Sequence, residues 1–407
     1  MIRIGEEQAA GLLALAGVLA AAAVLVSTLP SVRPAVNADE GVYLRYVQEL
    51  NERGPGALAD LHARFAGDPR LSAFPPPTRF GYLLLALAWC TLFGCSFGAL
   101  SALSASCHVT TAAVTFLFAR RHLGSRDAAL LTWLAGCSPL WLALGRRALT
   151  DAPALLLASL AWWVFLEVLR RPASLPLRLA FVAAAAAALS VKELAVLLLV
   201  PLAVVFAWER AHGSTALGPG TLAWLLAAPV AVAGGLGVVA AGGPGRALEV
   251  ARIVLASPGE SPFVKAFCGG PWYRLVVDFL LISPLATLLG LGGVLTVAVR
   301  AVRRDARDLP TAAAILLVLT LAEFAPLIKN VRYVALLELP LRLLALGALS
   351  ELAGGLGARW RRPALAAAVA GLVAADLVSF LELFVAGGIY DPTSFNLLAA
   401  RQMIPVR

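Results

Sequence analysis

The stretch that decides the fold lies at residues 9–32 and reads AAGLLALAGVLAAAAVLVSTLPSV, without a charged side chain. It is longer than the roughly 20 apolar residues that a helix needs to cross a bilayer. It is also too long for the apolar core of a typical signal peptide, and the short head before it, with Arg3, Glu6 and Glu7, is not clearly basic. We therefore interpret it as a retained membrane anchor.

The composition of the whole chain agrees with this anchor. Of 407 residues, 60% are hydrophobic and 14% charged, with a mean hydropathy of +0.84, whereas soluble domains carry about 25% charged residues. A membrane barrel would give short alternating segments, not long Leu/Ala/Val runs. The sequence predicts an all-α polytopic membrane helical bundle.

The distribution of basic residues and cysteines argues against a nucleic-acid-binding protein, a disulfide-stabilised protein and a cysteine metal site. The net charge of +9 comes from single or paired basic residues between apolar runs, which fits membrane topology and not nucleic-acid binding. Cys268 stands alone in a loop, and the spacing of the other cysteines gives neither a disulfide framework nor a metal site. We interpret the cysteines as packing residues.

The apolar runs predict eleven membrane spans. They are residues 9–32, 97–119, 128–148, 150–169, 177–191, 194–208, 220–241, 275–299, 311–328, 333–352 and 363–385. Phe80–Phe93 is too short for a full crossing and is expected to lie along the outer interface.

Basic residues in short loops predict the orientation, because such residues concentrate on the cytoplasmic side. With eleven spans, fifteen fall on one side: Arg3, Arg120, Arg121, Arg126, Arg170, Arg171, Arg178, Arg210, Arg300, Arg303, Arg304, Arg307, Arg359, Arg361 and Arg362. The short loops on the other side hold five: Arg146, Arg147, Lys192, Lys329 and Arg332. The long segments 33–79 and 242–274 are left out of this count, because long loops cross the membrane largely regardless of their charge. The amino terminus is therefore expected in the cytoplasm, and the tail from about residue 387 outside. The chain is expected to form a single domain, 1–407, with long extracytoplasmic loops at 33–96 and 242–274.

Polar residues gather on the predicted outer face. Asp39 and Glu40 begin an amphipathic stretch directly after the first span, where they could also cap a helix. Asp151 opens a span after Arg146 and Arg147, and a basic pair in an outer loop opposes the charge bias. Phosphate binding explains such a pair better than topology does.

The remaining candidates lie on the same face. Lys192 and Glu193 interrupt two apolar runs, where each charge would cost roughly 2.5 to 3.5 kcal/mol in lipid, so an outward polar cavity is expected around them. Arg79 precedes the interfacial helix, and Lys329 and Arg332 stand between two spans. Lysines and arginines that snorkel to the interface would explain some of these residues, but not the convergence of acids and bases.

These residues, in this order, resemble the superfamily C (GT-C) membrane glycosyltransferases, within the branch of protein O-mannosyltransferases and lipid A aminoarabinose transferases. The resemblance covers most of the chain. Its elements are Asp39-Glu40-Gly41-x-Tyr43, the stretch from Phe80-Gly81-Tyr82 to Leu92-Phe93-Gly94, Asp151, Lys192, and the stretch from Arg332-Tyr333 to Pro340. Two departures are Glu193, where relatives often have Gly, and the lack of a large soluble domain after the last span, which leaves acceptor recognition open.

The resemblance implies a GT-C fold and transfer of a sugar from a polyprenyl-phosphate donor to an acceptor hydroxyl, with inversion, on the extracytoplasmic face of a bacterial inner membrane. It implies Asp39 as general base, with Glu40 as the second catalytic carboxylate. Substrate binding is expected from Arg79, Tyr82, Arg146, Arg147, Asp151, Lys192, Lys329, Arg332 and Tyr333. Glu40 and Asp151 could also hold a divalent metal ion. The acceptor is a lipid, a polysaccharide or a protein.

Two other classes stay open on the residues alone. A transporter or flippase of a lipid-linked or anionic solute would also need intramembrane charges, although the sequence has no internal repeat. A non-catalytic scaffold would leave the outer polar residues without a role.

Overall fold

A computed structural model describes residues 5–68, 70–71, 74–260, 262–303 and 309–404. Across these residues the chain is helical and has no β-strand, which confirms the all-α class. The α-helices are α1 (Glu6–Thr28), α2 (Asp39–Arg53), α3 (Ala57–Gly67), α4 (Phe80–Phe93), α5 (Phe97–Leu123), α6 (Ser125–Gly136), α7 (Pro139–Gly145), α8 (Asp151–Arg170), α9 (Leu175–Val191), α10 (Leu199–Ala211), α11 (Pro219–Ala240), α12 (Pro244–Glu260), α13 (Pro262–Phe267), α14 (Arg274–Ile282), α15 (Pro284–Val302), α16 (Leu309–Phe324), α17 (Glu338–Gly354), α18 (Ala358–Phe380) and α19 (Ser394–Ala400). Short 3-10 segments occupy Leu29–Ser31, Glu193–Leu198 and Val331–Leu337, and a π-helical turn occupies Leu381–Ala386.

Within the described residues, eight helices are long and apolar enough to cross a membrane, or nine if the bent pair α6 and α7 forms one span. Two further predicted spans correspond to α9 and α16, which have 17 and 16 residues. The count of eleven therefore stays a prediction. The predicted cytoplasmic residues Arg3, Arg304 and Arg307 lie outside the described residues.

Prolines divide two of the predicted spans. The run at 128–148 bends by 60° between α6 and α7, where Pro139 begins α7. The run at 275–299 is interrupted at Ser283, and Pro284 begins α15. Proline has no backbone N–H to give to the preceding turn but fits the first turn of a new helix. As a result, α14 precedes the span formed by α15.

The core is built around α8. Of its most apolar 18 residues, 83% are buried, against 11% for the peripheral α11. Trp141, Trp162, Trp163 and Phe165 are fully or almost fully buried in the main core. Helix α8 begins at Asp151, so the central position of this helix places that carboxylate inside the bundle.

The two predicted outer loops contain short helices. Residues 33–96 form α2, α3 and α4, and residues 242–274 form α12 and α13, with α3 packed on α12. Gly81 brings α4 against the end of α9, because a Cβ there would lie 2.2 Å from the Ser190 hydroxyl. The side of the membrane on which these helices lie stays a prediction.

Candidate active site

A buried cluster of three charged side chains forms the centre of the site. Lys192 Nζ donates to Asp151 Oδ1 at 2.6 Å, and an Arg332 guanidinium nitrogen donates to Asp151 Oδ2 at 3.1 Å. All three side chains are at most 8% exposed. Pairing offsets the cost of burying these charges. Three positions far apart in sequence thus meet where α8 begins, α9 ends and the 3-10 segment Val331–Leu337 begins.

Asp39 lies at the accessible edge of this cluster. Its side chain is 37% exposed, and its Oδ2 is 3.5 Å from the nearest guanidinium nitrogen of Arg332. Asp39 is the first residue of α2, directly after Ala38, which makes no side-chain cap. A partly exposed carboxylate beside a fixed cation can meet an incoming hydroxyl group, which is the position required of a general base.

Glu40 has a different environment from its neighbour, although both were predicted to be catalytic. It is 1% exposed. Its Oε2 accepts from the backbone N–H of Ala35 at 2.8 Å, and its Oε1 accepts from that of Ala148 at 2.9 Å. The carboxylate therefore ties the segment before α2 to the loop before α8, and these contacts favour a structural role over a chemical one.

A close backbone contact explains why a glycine, Gly41, follows the two acids. The chain turns so tightly before α2 that a Cβ on Gly41 would lie 1.8 Å from the carbonyl oxygen of Val36. No side chain fits this space. The Asp39-Glu40-Gly41 sequence thus combines an accessible acid, a buried structural acid and a close backbone approach.

Arg79 forms a second ion pair near the cluster. It makes a two-pronged salt bridge with Glu193, with N–O distances of 3.0 and 2.8 Å, and donates to the hydroxyl group of Tyr43. This pairing gives a reason for a Glu at position 193. Tyr82 is fully buried and packs edge-on against Tyr43, with ring centroids 5.0 Å apart. Its contacts place it behind the site, so a direct role in substrate binding stays a prediction without structural support.

The structure separates the neighbouring Arg146 and Arg147. Arg147 donates to the carbonyl of Arg33, lies 3.6 Å from Glu40 and stacks over the Tyr390 ring at 4.9 Å. Arg146 instead donates to the carbonyls of Thr28 and Phe384, at 2.7 and 3.1 Å.

Substrate binding was expected of both arginines, but these contacts of Arg146 are with backbone carbonyls and not with Asp151. Arg146 satisfies backbone carbonyls near the ends of two helices, which are acceptors that a helix leaves unpaired. These contacts join two helix ends, and a role of Arg146 in substrate binding stays a prediction.

The remaining predicted residues, Lys329 and Tyr333, lie in the segment after α16. The Tyr333 ring lies under Lys192 Nζ at 4.9 Å. Lys329 is buried, and its Nζ donates to the carbonyl of Leu327 at 3.2 Å. The backbone N–H of Lys329 donates to the backbone carbonyl of Cys268. Tyr333 therefore belongs to the cluster, whereas Lys329 joins loops.

The sequence interpretation missed two residues after α18. Asp391 accepts from the side-chain amide of Asn330 at 2.8 Å and lies 3.7 Å from Arg332. The Tyr390 ring lies between Arg147 and Arg332, at 4.9 and 5.9 Å from their guanidinium carbons. The only signal in the sequence was that the tail was predicted on the same face as the other polar residues.

A cavity opens from this cluster. It has a volume of about 590 Å³, including its open mouth. Asp151, Lys192, Arg332 and Tyr333 form its charged part. The rest is almost wholly apolar and is lined by Ala154, Leu155, Ala158, Leu194, Ala195, Leu197, Leu198, Thr320, Phe324, Val334, Ala335, Leu336 and Leu337. A molecule with an anionic head and a hydrocarbon tail matches this lining.

The predicted metal role of Glu40 and Asp151 does not fit these contacts. Among the described residues, no group of three or more His, Cys, Asp or Glu is placed to hold a metal ion. Both oxygens of Glu40 and both of Asp151 already accept hydrogen bonds. A metal ion would have to replace those partners.

A family model described as dolichyl-phosphate-mannose-protein mannosyltransferase matches residues 77–234, which is less than half of the chain. This segment contains Arg79, the two arginines before α8, Asp151 and Lys192. No curated protein sequence matches the chain significantly.

Solved structures match over most of the chain. ArnT from Cupriavidus metallidurans bound to undecaprenyl phosphate is 18% identical, with 90% of this chain and 76% of that one covered and a TM-score of 0.58. The apo form of ArnT gives 17% identity over the same shares, with a TM-score of 0.54. The apo Archaeoglobus fulgidus oligosaccharyltransferase is 14% identical, with 90% of this chain and 55% of that chain covered and a TM-score of 0.59.

At these identities the likeness establishes the fold. Together with the matched segment, it confirms the predicted resemblance to the GT-C superfamily. The donor, the acceptor, the stereochemistry and the membrane face of the reaction stay predictions, as do the roles of individual residues.

Proposed function

This chain has the GT-C glycosyltransferase fold, and on that premise we propose that it transfers a sugar from a polyprenyl phosphate to an acceptor hydroxyl at the extracytoplasmic face of a bacterial inner membrane. The acceptor is a lipid, a polysaccharide or a protein. The observation that carries the proposal is the position of Asp39. It is a partly exposed carboxylate 3.5 Å from Arg332, and Arg332 belongs to the charged part of an otherwise apolar cavity.

The cavity matches the two parts of such a donor. The apolar lining suits a prenyl chain, and the phosphate would lie against Lys192 and Arg332. Arg332 Nε is buried and has no hydrogen-bond partner among the described residues. An unpaired buried donor costs about 1 to 3 kcal/mol, and a phosphate oxygen would satisfy it. In the similar ArnT structure, undecaprenyl phosphate is the bound ligand.

The proposed reaction is a single displacement. Asp39 takes the proton of the acceptor hydroxyl while the oxygen attacks the anomeric carbon. The bond between that carbon and the phosphate oxygen breaks, and polyprenyl phosphate leaves with the electron pair. Attack from the side opposite the phosphate inverts the configuration. Arg332 and Lys192 stabilise the negative charge that develops on the leaving group.

The test is a transfer assay in membranes with a radiolabelled polyprenyl-phosphate sugar, comparing wild type with Asp39→Asn. We expect transfer to fall roughly a hundredfold or more, because a well-placed base contributes about 10² to 10⁴. A helix-capping role would survive the change, since Asn caps a helix as well as Asp does. The variant should therefore insert and fold normally.

Asp60→Asn is the matched control. Asp60 lies on α3 with its side chain 57% exposed and forms a salt bridge with Arg53, so its loss should leave transfer near normal. Equal transfer by wild type and Asp39→Asn would remove Asp39 as the base. Movement of the labelled lipid across the membrane without any transfer would favour a flippase instead.

A further inference from the structure

Cys90 and Cys95 form a pair that the site does not use. Cys90 lies in the last turn of α4 and is 4% exposed, and Cys95 follows the helix end and is partly exposed. Gly94 ends the helix with a positive φ of 80°, and its N–H donates to the Cys90 carbonyl at 2.8 Å. This turn folds the chain back and brings the two Sγ atoms to 3.0 Å.

We propose that Cys90 and Cys95 form a disulfide bond in the mature protein. A disulfide has an S–S length of about 2.05 Å, so the two sulfur atoms need to approach by only about 1 Å. The predicted topology places both residues on the extracytoplasmic side, where oxidising conditions preserve such bonds. The contact between the two cysteines replaces the interpretation of both as packing residues.

The bond forms by exchange with a disulfide of another molecule, such as a thiol oxidase of that compartment. The Cys95 thiolate, which is the more accessible, attacks one oxidant sulfur and releases the other as a thiolate. The Cys90 thiolate then attacks Cys95 Sγ, and the second oxidant thiolate leaves. The two cysteine thiols lose two protons and two electrons, and the oxidant disulfide becomes two thiols.

The bond would hold α4 in its position beside the site. On α4, Tyr82 packs against Tyr43, and Gly81 lies against Ser190, two residues before Lys192. A cross-link at the other end of this 14-residue helix restricts its movement away from α5. The unfolded chain would also lose freedom through the closed loop.

The test uses the full chain, expressed in a bacterium with an oxidising periplasm and denatured in N-ethylmaleimide. Labelling with maleimide-polyethylene glycol before and after reduction then counts the cysteines released from disulfides. We expect two labels that depend on reduction in wild type, and the same two in the control Cys107→Ser. Neither Cys90→Ser nor Cys95→Ser should have them.

A second readout covers variants that fold poorly. The tryptic peptide Phe80–Arg120 has no internal Lys or Arg and contains Cys90, Cys95 and Cys107. In the Cys107→Ser variant it therefore holds only Cys90 and Cys95, and a disulfide between them lowers its mass by two hydrogens. Thermal unfolding of wild type should move to a lower temperature after reduction, whereas Cys95→Ser should not respond. Free thiols at both positions in wild type, or labels released by reduction that persist in Cys90→Ser, would overturn the proposal.

Discussion

Replacing Glu40 by Gln distinguishes the roles of the two adjacent acids, because Glu40 makes structural contacts whereas Asp39 is partly exposed beside Arg332. Glu40 accepts two backbone N–H groups, at 2.8 and 2.9 Å, and lies 3.6 Å from Arg147. Gln has only one side-chain oxygen, so its NH2 group would face one of these two N–H donors and leave it unpaired. We expect Glu40→Gln to destabilise the fold.

The magnitude follows from the bonds that are lost. A hydrogen bond to a charged group contributes about 1.5 to 3 kcal/mol, and a buried donor left unpaired costs about 1 to 3 kcal/mol. These two figures describe overlapping losses, so we expect a decrease of about 2 to 4 kcal/mol in the free energy of unfolding. Transfer per folded molecule should fall less than tenfold, well below the loss expected for Asp39→Asn.

The assay is denaturation in detergent, with specific transfer measured on the folded fraction. Glu49→Gln is the matched control. Glu49 lies on the same helix in salt bridges with Arg53 and Arg64, whose side chains are at least half exposed, and such pairs contribute about 0 to 1 kcal/mol. Wild-type stability in Glu40→Gln, together with a loss of transfer as deep as in Asp39→Asn, would refute the structural role and make Glu40 a chemical participant.

Three further changes test other parts of the structure. Arg332→Lys keeps one charge but cannot reach its carboxylate partners together, so kcat/KM should fall by about 10 to 100-fold in the transfer assay while the protein still folds. Arg146→Met leaves buried carbonyls without their donor and should lower stability by about 2 to 4 kcal/mol, with near-normal transfer per folded molecule. Burial raises the pKa of Asp278 from 3.8 to about 6, so stability present below pH 4 is lost as pH rises through about 6. Asp278→Asn should remove this dependence in unfolding measured from pH 4 to 8.

Much of the site could be predicted because charges are costly in a membrane. Asp151, Lys192 and Arg332 interrupt apolar runs at ends predicted to share one face, and the structure brings them together. The sequence could not say which of two neighbouring acids points into the site. Adjacent helical residues do not share a face, so Asp39 and Glu40 point to different surroundings. For the same reason, the sequence analysis gave the neighbouring Arg146 and Arg147 one shared role, although their side chains have different partners.

Contacts made by the tail were beyond sequence reasoning for a different reason. Asp391 lies far along the chain from Arg332, and neither periodicity nor motif spacing connects them. The breaks at Pro139 and Pro284 were also missed, because the predicted spans 128–148 and 275–299 ran through them. A proline is a local signal for the start of a new helix, whereas the partners of a charge depend on tertiary packing.

In the proposed reaction, the arrangement around Arg332 would link donor binding to the proposed base, Asp39. Its guanidinium group lies near three carboxylates, at 3.1 Å from Asp151, 3.5 Å from Asp39 and 3.7 Å from Asp391. A phosphate that enters this group competes first with the longer contacts, because Asp151 is held on its other oxygen by Lys192. The negative phosphate then offsets the attraction of Arg332 for Asp39. The Asp39 carboxylate would then be released from Arg332 and free to meet the acceptor hydroxyl when the leaving group is in position.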